Sequence, residues 1–99
     1  MNLVLTHNNM DFDGLAAQFA VSKLYSGTLI IPGYPLVGNV REFLSLYRDS
    51  LPIGQLKYID KTQIKHLFVV DCQHALRLDE SARTLFDKGH ELIPYTIFD

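Results

Sequence analysis

His7, Asp11 and Asp13 crowd into the stretch "LTHNNMDFDG", and Gly14 follows them directly. A strand-like apolar segment precedes the cluster and a helix-like segment follows it. Imidazole nitrogens and carboxylate oxygens are metal-ligand atoms, and carboxylates gathered in one place repel one another unless a cation lies between them. A further aspartate, Asp71, ends the apolar run "LFVVD". Carboxylates with a single imidazole suit Mn²⁺ or Mg²⁺ better than Zn²⁺. A carboxylate placed between two such ions, about 3.5–4 Å apart, bridges them and clamps a phosphate with its attacking water. That is the chemistry of phosphoester or phosphoanhydride hydrolysis. Each residue also has an ordinary reading. Asp11 or Asp13 can cap a helix, worth about 1 kcal/mol; His7 can close a strand, and Asp71 can cap or turn the chain. One cap explains one aspartate, not two and a histidine.

The elements around the cluster must position it. "NLVLTH" (2–7) reads as a buried strand. "FDGLAAQFAVSKLY" (12–25) reads as a helix, with Leu15, Ala16, Phe19 and Ala20 on its inward face and Gly27 just past its end. "TLII" (28–31) reads as a strand stopped by Pro32-Gly33. "NVREFLSLYRDSL" (39–51) reads as a helix capped by Asn39, with Val40, Phe43, Leu44 and Tyr47 on one face. "LKYID" (56–60) reads as a short strand and "KHLFVVDCQ" (65–73) as the central one. "LDESARTLFDKGH" (78–90) reads as a third helix and "ELIPYTIF" (91–98) as a last strand, at an edge or broken before "YTIF" because of Pro94. Strands alternating with helices predict an α/β fold with a mainly parallel sheet and helices on its faces. Ligands of such sheets bind beyond the carboxyl ends of the strands, where His7, Asp71 and Asp99 all fall.

The 99 residues make one small domain, burying roughly 65% of the unfolded surface. Hydrophobic residues are 47% and charged residues 20%, a globular composition, and the net charge of −2 argues against a broad nucleic-acid patch. Cys72 is the single cysteine, so no internal disulfide forms and a cytoplasmic setting is expected. No apolar run reaches the roughly 20 residues of a membrane span, and no signal peptide is visible. The end at Asp99, directly after an apolar run, implies a domain that continues. The exposed sheet edge there invites self-association.

Other residues carry less. Cys72 reads as a strand-end residue without the base a nucleophile needs. His66 reads as a surface residue, His74 as a residue of the site rim, and His90 as a helix C-terminal partner. Arg41 and Arg48 read as solvated helix residues, with Arg41 within reach of a substrate phosphate. Gly33 and Gly38 form no phosphate-binding fingerprint.

"THNNMDFDG" resembles the first motif of the DHH phosphoesterase superfamily, in which H-x-x-x-D-x-D follows the first strand. "LFVVDCQ" resembles its second motif, and "YTIFD" resembles the strand entering the third, Asp-His-His. The resemblance covers 3–99 and makes 1–99 a partial DHH domain, ending at the first residue of the third motif. It implies a Rossmann-like, doubly wound fold and two Mn²⁺ or Mg²⁺ ions. Relatives of this kind hydrolyse single-stranded or short oligonucleotides, cyclic dinucleotides, polyphosphate or pyrophosphate. By the resemblance His7 and Asp11 hold one metal, Asp13 holds the other, and Asp71 bridges them at the catalytic centre. Asp99 orients these groups. "DFDGLAAQFAVSKLY" with "NVREFLSLYRD" is most similar to a bacterial subgroup in which CBS and tRNA nucleotidyltransferase (poly(A) polymerase-like) domains follow.

The expected ligand is therefore a phosphate-containing small molecule or short oligonucleotide, with tRNA or another RNA as partner of a longer parent protein. The histidines of the third motif and the second, substrate-binding domain are not in this chain, so weak or no catalysis is expected from it alone. The alternative is a non-catalytic α/β module binding a nucleotide or a protein. A receiver-like domain is a variant of that alternative, but Lys88 falls in the third helix instead of near the last strand.

Overall fold

A computed structural model describes residues 1–71 and 93–98. Its centre is a four-stranded, all-parallel sheet in the order β2-β1-β3-β4. The strands are β1 (Asn2–Leu5), β2 (Thr28–Ile30), β3 (His66–Val70) and β4 (Tyr95–Phe98). Helix α1 (Phe12–Leu24) joins β1 to β2, and α2 (Gly38–Tyr47) begins the connection from β2 to β3. This is the Rossmann-like α/β architecture that the alternation of elements predicts.

Side chains alternate along each strand with period two, so each central strand feeds two cores. Leu3, Leu5, Leu67 and Val69 share one buried cluster with Ile31 and Ile64. Val4, Ile30, Phe68 and Val70 share the other with Leu15 and Val21 of α1 and Val40 and Leu44 of α2. Burial on both faces is what a parallel sheet requires, and it explains why "HLFVV" is almost uniformly apolar. Both described α-helices therefore serve one face. Among the described residues the opposite face is covered by Leu56, Ile59, Ile64 and Ile93.

Several expectations need adjustment. Residues 56–60 are not a strand: Leu56–Tyr58 form a 3₁₀ turn. Leu56 and Ile59 stand three residues apart, one 3₁₀ turn, and so meet the same core. A second such turn, Lys61–Gln63, is capped by Asp60. The hydroxyl and N–H of Thr62 hold the Asp60 carboxyl below its usual range. Helix α2 starts earlier than expected, with Val37 rather than Asn39 at its N-cap, and passes at Arg48–Ser50 into a 3₁₀ turn. Asn39 instead accepts from the N–H of Val40.

The inward face of α1 is Gly14, Leu15, Gln18 and Val21, whereas Ala16, Phe19 and Ala20 are exposed. Gln18 turns the helix this way. Its amide is fully buried and donates to the carbonyls of Val4 (2.9 Å) and Ile31 (2.7 Å), tying α1 to the chain at the ends of β1 and β2. His66 is half-buried rather than a surface residue; its Nε2 pairs with Thr96 Oγ1 at 2.8 Å, across the β3–β4 edge. Pro94 directly precedes the edge strand β4, and its carbonyl accepts from Leu67. The predicted third helix, 78–90, lies outside the described residues.

Candidate metal centre

Strands β1 and β3 are neighbours although 64 residues separate His7 from Asp71. From β1 the chain leaves toward β2 on one side, and β3 lies on the other. Their carboxyl ends thus flank the crevice where the strand order reverses, the ligand position of open parallel sheets. Thr6 closes the floor of this crevice: its buried hydroxyl donates to the Val70 carbonyl at 2.9 Å.

Three predicted site residues meet there. His7, Asp11 and Asp71 each offer one ligand atom, and these atoms lie within 4.8 Å of one another. His7 is buried; Asp11 and Asp71 are exposed toward solvent. Asp11 is also the N-cap of α1, its Oδ1 accepting from Gly14 N at 2.9 Å. The capping and ligand readings of this residue are compatible, because a carboxylate has a second oxygen. Asp71 follows β3 with φ of +53°, in the left-handed region that a non-glycine residue enters at a cost of about 1 kcal/mol. Backbone strain of this kind gathers at functional positions.

The imidazole contacts define the centre further. His7 Nδ1 lies 2.6 Å from the Asn8 carbonyl oxygen, which can only accept, so Nδ1 carries the proton. In the neutral ring, Nε2 then presents a lone pair, and it faces Asp71 Oδ2 at 3.3 Å. Two electron-rich atoms confront each other. Either the ring is protonated and forms an ion pair, or a cation stands between the two atoms. A histidine whose other nitrogen donates to a backbone carbonyl has the arrangement usual for metal-ligating imidazole. Oxygen and nitrogen donors in this ratio fit Mn²⁺ or Mg²⁺.

Asp13 is not in this group. It occupies the first turn of α1, exposed, where its charge complements the helix dipole. Asp99, Cys72, His74, Lys88 and His90 lie outside the described residues.

Sequence reasoning misses the part played by Gly33. A Cβ at this position would overlap the His7 carbonyl oxygen and fall 2.8 Å from the His7 carbonyl carbon. Gly33 also accepts from Met10 N at 3.1 Å, so the segment after β2 braces the loop carrying His7 and Asp11. Gly14 is closely packed to a lesser degree, its missing Cβ lying 3.1 Å from the side-chain Oγ1 of Thr6. Only the Pro-Gly pair after β2 hints at Gly33, and such a pair reads equally well as a simple strand stop.

Among the described residues no helix is long and apolar enough to cross a membrane. No protein-family model matches the chain, and no solved structure does. The chain is 35% identical over 96 residues to an A-adding tRNA nucleotidyltransferase of Geobacter sulfurreducens. The match takes in 96% of this chain but 11% of that protein, so the chain spans about a tenth of its relative's length. The chain is thus similar to one segment of a tRNA nucleotidyltransferase.

Proposed function

We propose that this chain carries the first two motifs of a DHH-type, metal-dependent phosphoesterase domain associated with a tRNA nucleotidyltransferase. The observation that supports this reading best is the meeting of His7 Nε2, Asp11 and Asp71 at the crevice between β1 and β3. A Mn²⁺ or Mg²⁺ ion there would polarise a phosphoryl oxygen and acidify a bound water. His7 would be held in the correct tautomer by the Asn8 carbonyl, and Asp11 would be fixed by its cap to α1. Asp71 would face both. Asp13 is assigned to a second ion, and Asp99 to an orienting role, by resemblance alone. The bond cleaved is a phosphodiester or phosphoanhydride, and the similarity to a tRNA nucleotidyltransferase favours a nucleotide-containing substrate.

The test is calorimetric titration of 5′-AMP, a phosphate-bearing product analogue, with and without Mn²⁺. The proposal predicts binding that needs Mn²⁺ and disappears in Asp71→Ala. Binding that ignores both Mn²⁺ and Asp71 would favour a non-catalytic nucleotide-binding module instead.

A further inference from the structure

The segment that braces the cluster leads straight into a second feature. Residues 34–36 follow Gly33 and form one wall of an open groove of about 590 Å³. Arg41, Leu44, Ser45 and Arg48 form the other wall. Helical geometry continues through Arg48, where α2 ends. The wall at 34–36 is fastened at both ends: Met10 N donates to Gly33 O, and Val37 N donates to Met10 O.

The two walls differ in chemistry. Tyr34 and Pro35 are exposed and Leu36 is half-buried, so one wall offers apolar surface. The other is cationic. Both arginines are exposed, and neither makes an ion pair or side-chain hydrogen bond with the described residues. Glu42 and Asp49 are sequence neighbours of the arginines, yet neither lines the groove. A ligand that complements these walls carries both carboxylates and an aliphatic group, and guanidinium forks match carboxylates in bidentate geometry.

The spacing narrows the ligand further. Arg41 and Arg48 stand two helical turns apart, about 10 Å along α2. A helical segment repeats one face at the same interval, through positions i, i+3 and i+7. Lying along the groove, it would set two acidic side chains on the two arginines and an aliphatic one between them, against Pro35 and Leu36. A nucleic acid matches the groove less well. No third cation among the described residues lines it, the chain carries a net charge of −2, and a phosphate backbone draws on a broader basic surface.

We infer that the groove between residues 34–36 and α2 docks an acidic amphipathic helix of a partner protein, with carboxylates on Arg41 and Arg48 and an aliphatic side chain between them. This site uses no metal and no residue of the cluster, so it stands or falls separately from the function proposed above.

The experiment is fluorescence anisotropy of a labelled, alanine-based helical peptide with the core Glu-Ala-Ala-Leu-Ala-Ala-Ala-Glu, titrated with the whole chain at low salt with EDTA present. Saturable binding is expected, weakening as salt is raised. The double variant Arg41→Gln/Arg48→Gln should weaken it about tenfold or more. Replacing the leucine of the peptide by alanine should weaken it about fivefold or more. Charge reversal gives the sharpest check: Arg41→Glu/Arg48→Glu should reject this peptide and bind the version with lysine in place of both glutamates. Both arginines are exposed, and circular dichroism checks that each variant is folded. Absence of saturable binding to the folded wild type would overturn the inference, as would unchanged affinity in the double glutamine variant. Displacement of the peptide by tripolyphosphate, with the leucine without effect, would reduce the groove to a simple anion site and overturn it. Pentauridylate binding through the same arginines more tightly than the peptide would assign the groove to nucleic acid and overturn it too.

Discussion

His7 has neighbours on three sides: the Asn8 carbonyl at Nδ1, Asp71 facing Nε2, and Gly33 against its backbone. The approach of Gly33 gives a prediction at the residue scale. Gly33→Ala has no room for its methyl group unless the His7 carbonyl moves, an overpacking that costs about 1–3 kcal/mol. Displacing the loop also displaces the imidazole, and disturbed support around a metal ligand typically costs about 10–100-fold in affinity. Thermal melting with a Mn²⁺ titration should therefore show a lower midpoint and weaker binding together; a variant that melts lower but binds Mn²⁺ normally would separate Gly33 from the centre. His7, Asp11 and Asp71 are legible in the sequence because their types carry the signal, with His7 and Asp71 just past strand ends and Asp11 at a helix start. Gly33 is not, since its role is an absence of side chain opposite a carbonyl from a distant strand. Asp13, two residues after Asp11, stands in the first turn of α1 and outside the His7–Asp11–Asp71 group.

At the scale of elements, α1 links capping to chemistry. Asp11 both starts the helix and faces the cluster, and substitution can divide these roles. Asp11→Ser keeps a side-chain oxygen for the Gly14 N–H, so urea unfolding should change by only a few tenths of a kcal/mol. Asp11→Ala should lose about 1 kcal/mol. Both remove the carboxylate, so both should weaken Mn²⁺ binding to a similar degree. If Asp11→Ser bound Mn²⁺ like the wild type, Asp11 would be a cap only. Periodicity locates both described helices and all four described strands to within a few residues, but it adds a strand at 56–60 and puts α1 about one residue out of phase. Gln18 is the cause. A glutamine counts as polar in any pattern, and its burial is offset by the Val4 and Ile31 carbonyls, both of which accept from its Nε2. The 3₁₀ turns at 56–63 escape for a related reason, because three-residue spacing over so short a stretch looks like a strand fragment.

For the whole molecule, the decisive fact is the strand order β2-β1-β3-β4. The sequence indicates parallel strands and ligands at their carboxyl ends. The pairing of β1 with β3 comes from packing, in register from Asn2 opposite His66 to Leu5 opposite Val69, and it brings His7 to Asp71. That encounter sets His7 Nε2 3.3 Å from Asp71 Oδ2, the contact on which the proposed metal centre rests. The most direct measurement is a Mn²⁺ titration followed by electron paramagnetic resonance, on the wild-type chain and on Asp71→Ala, at neutral pH. The account predicts that the wild type removes the free-Mn²⁺ signal as protein is added, and that Asp71→Ala leaves it essentially intact. Equal loss of signal in the two proteins would contradict it, because the crevice between β1 and β3 would then not be where the ion is held.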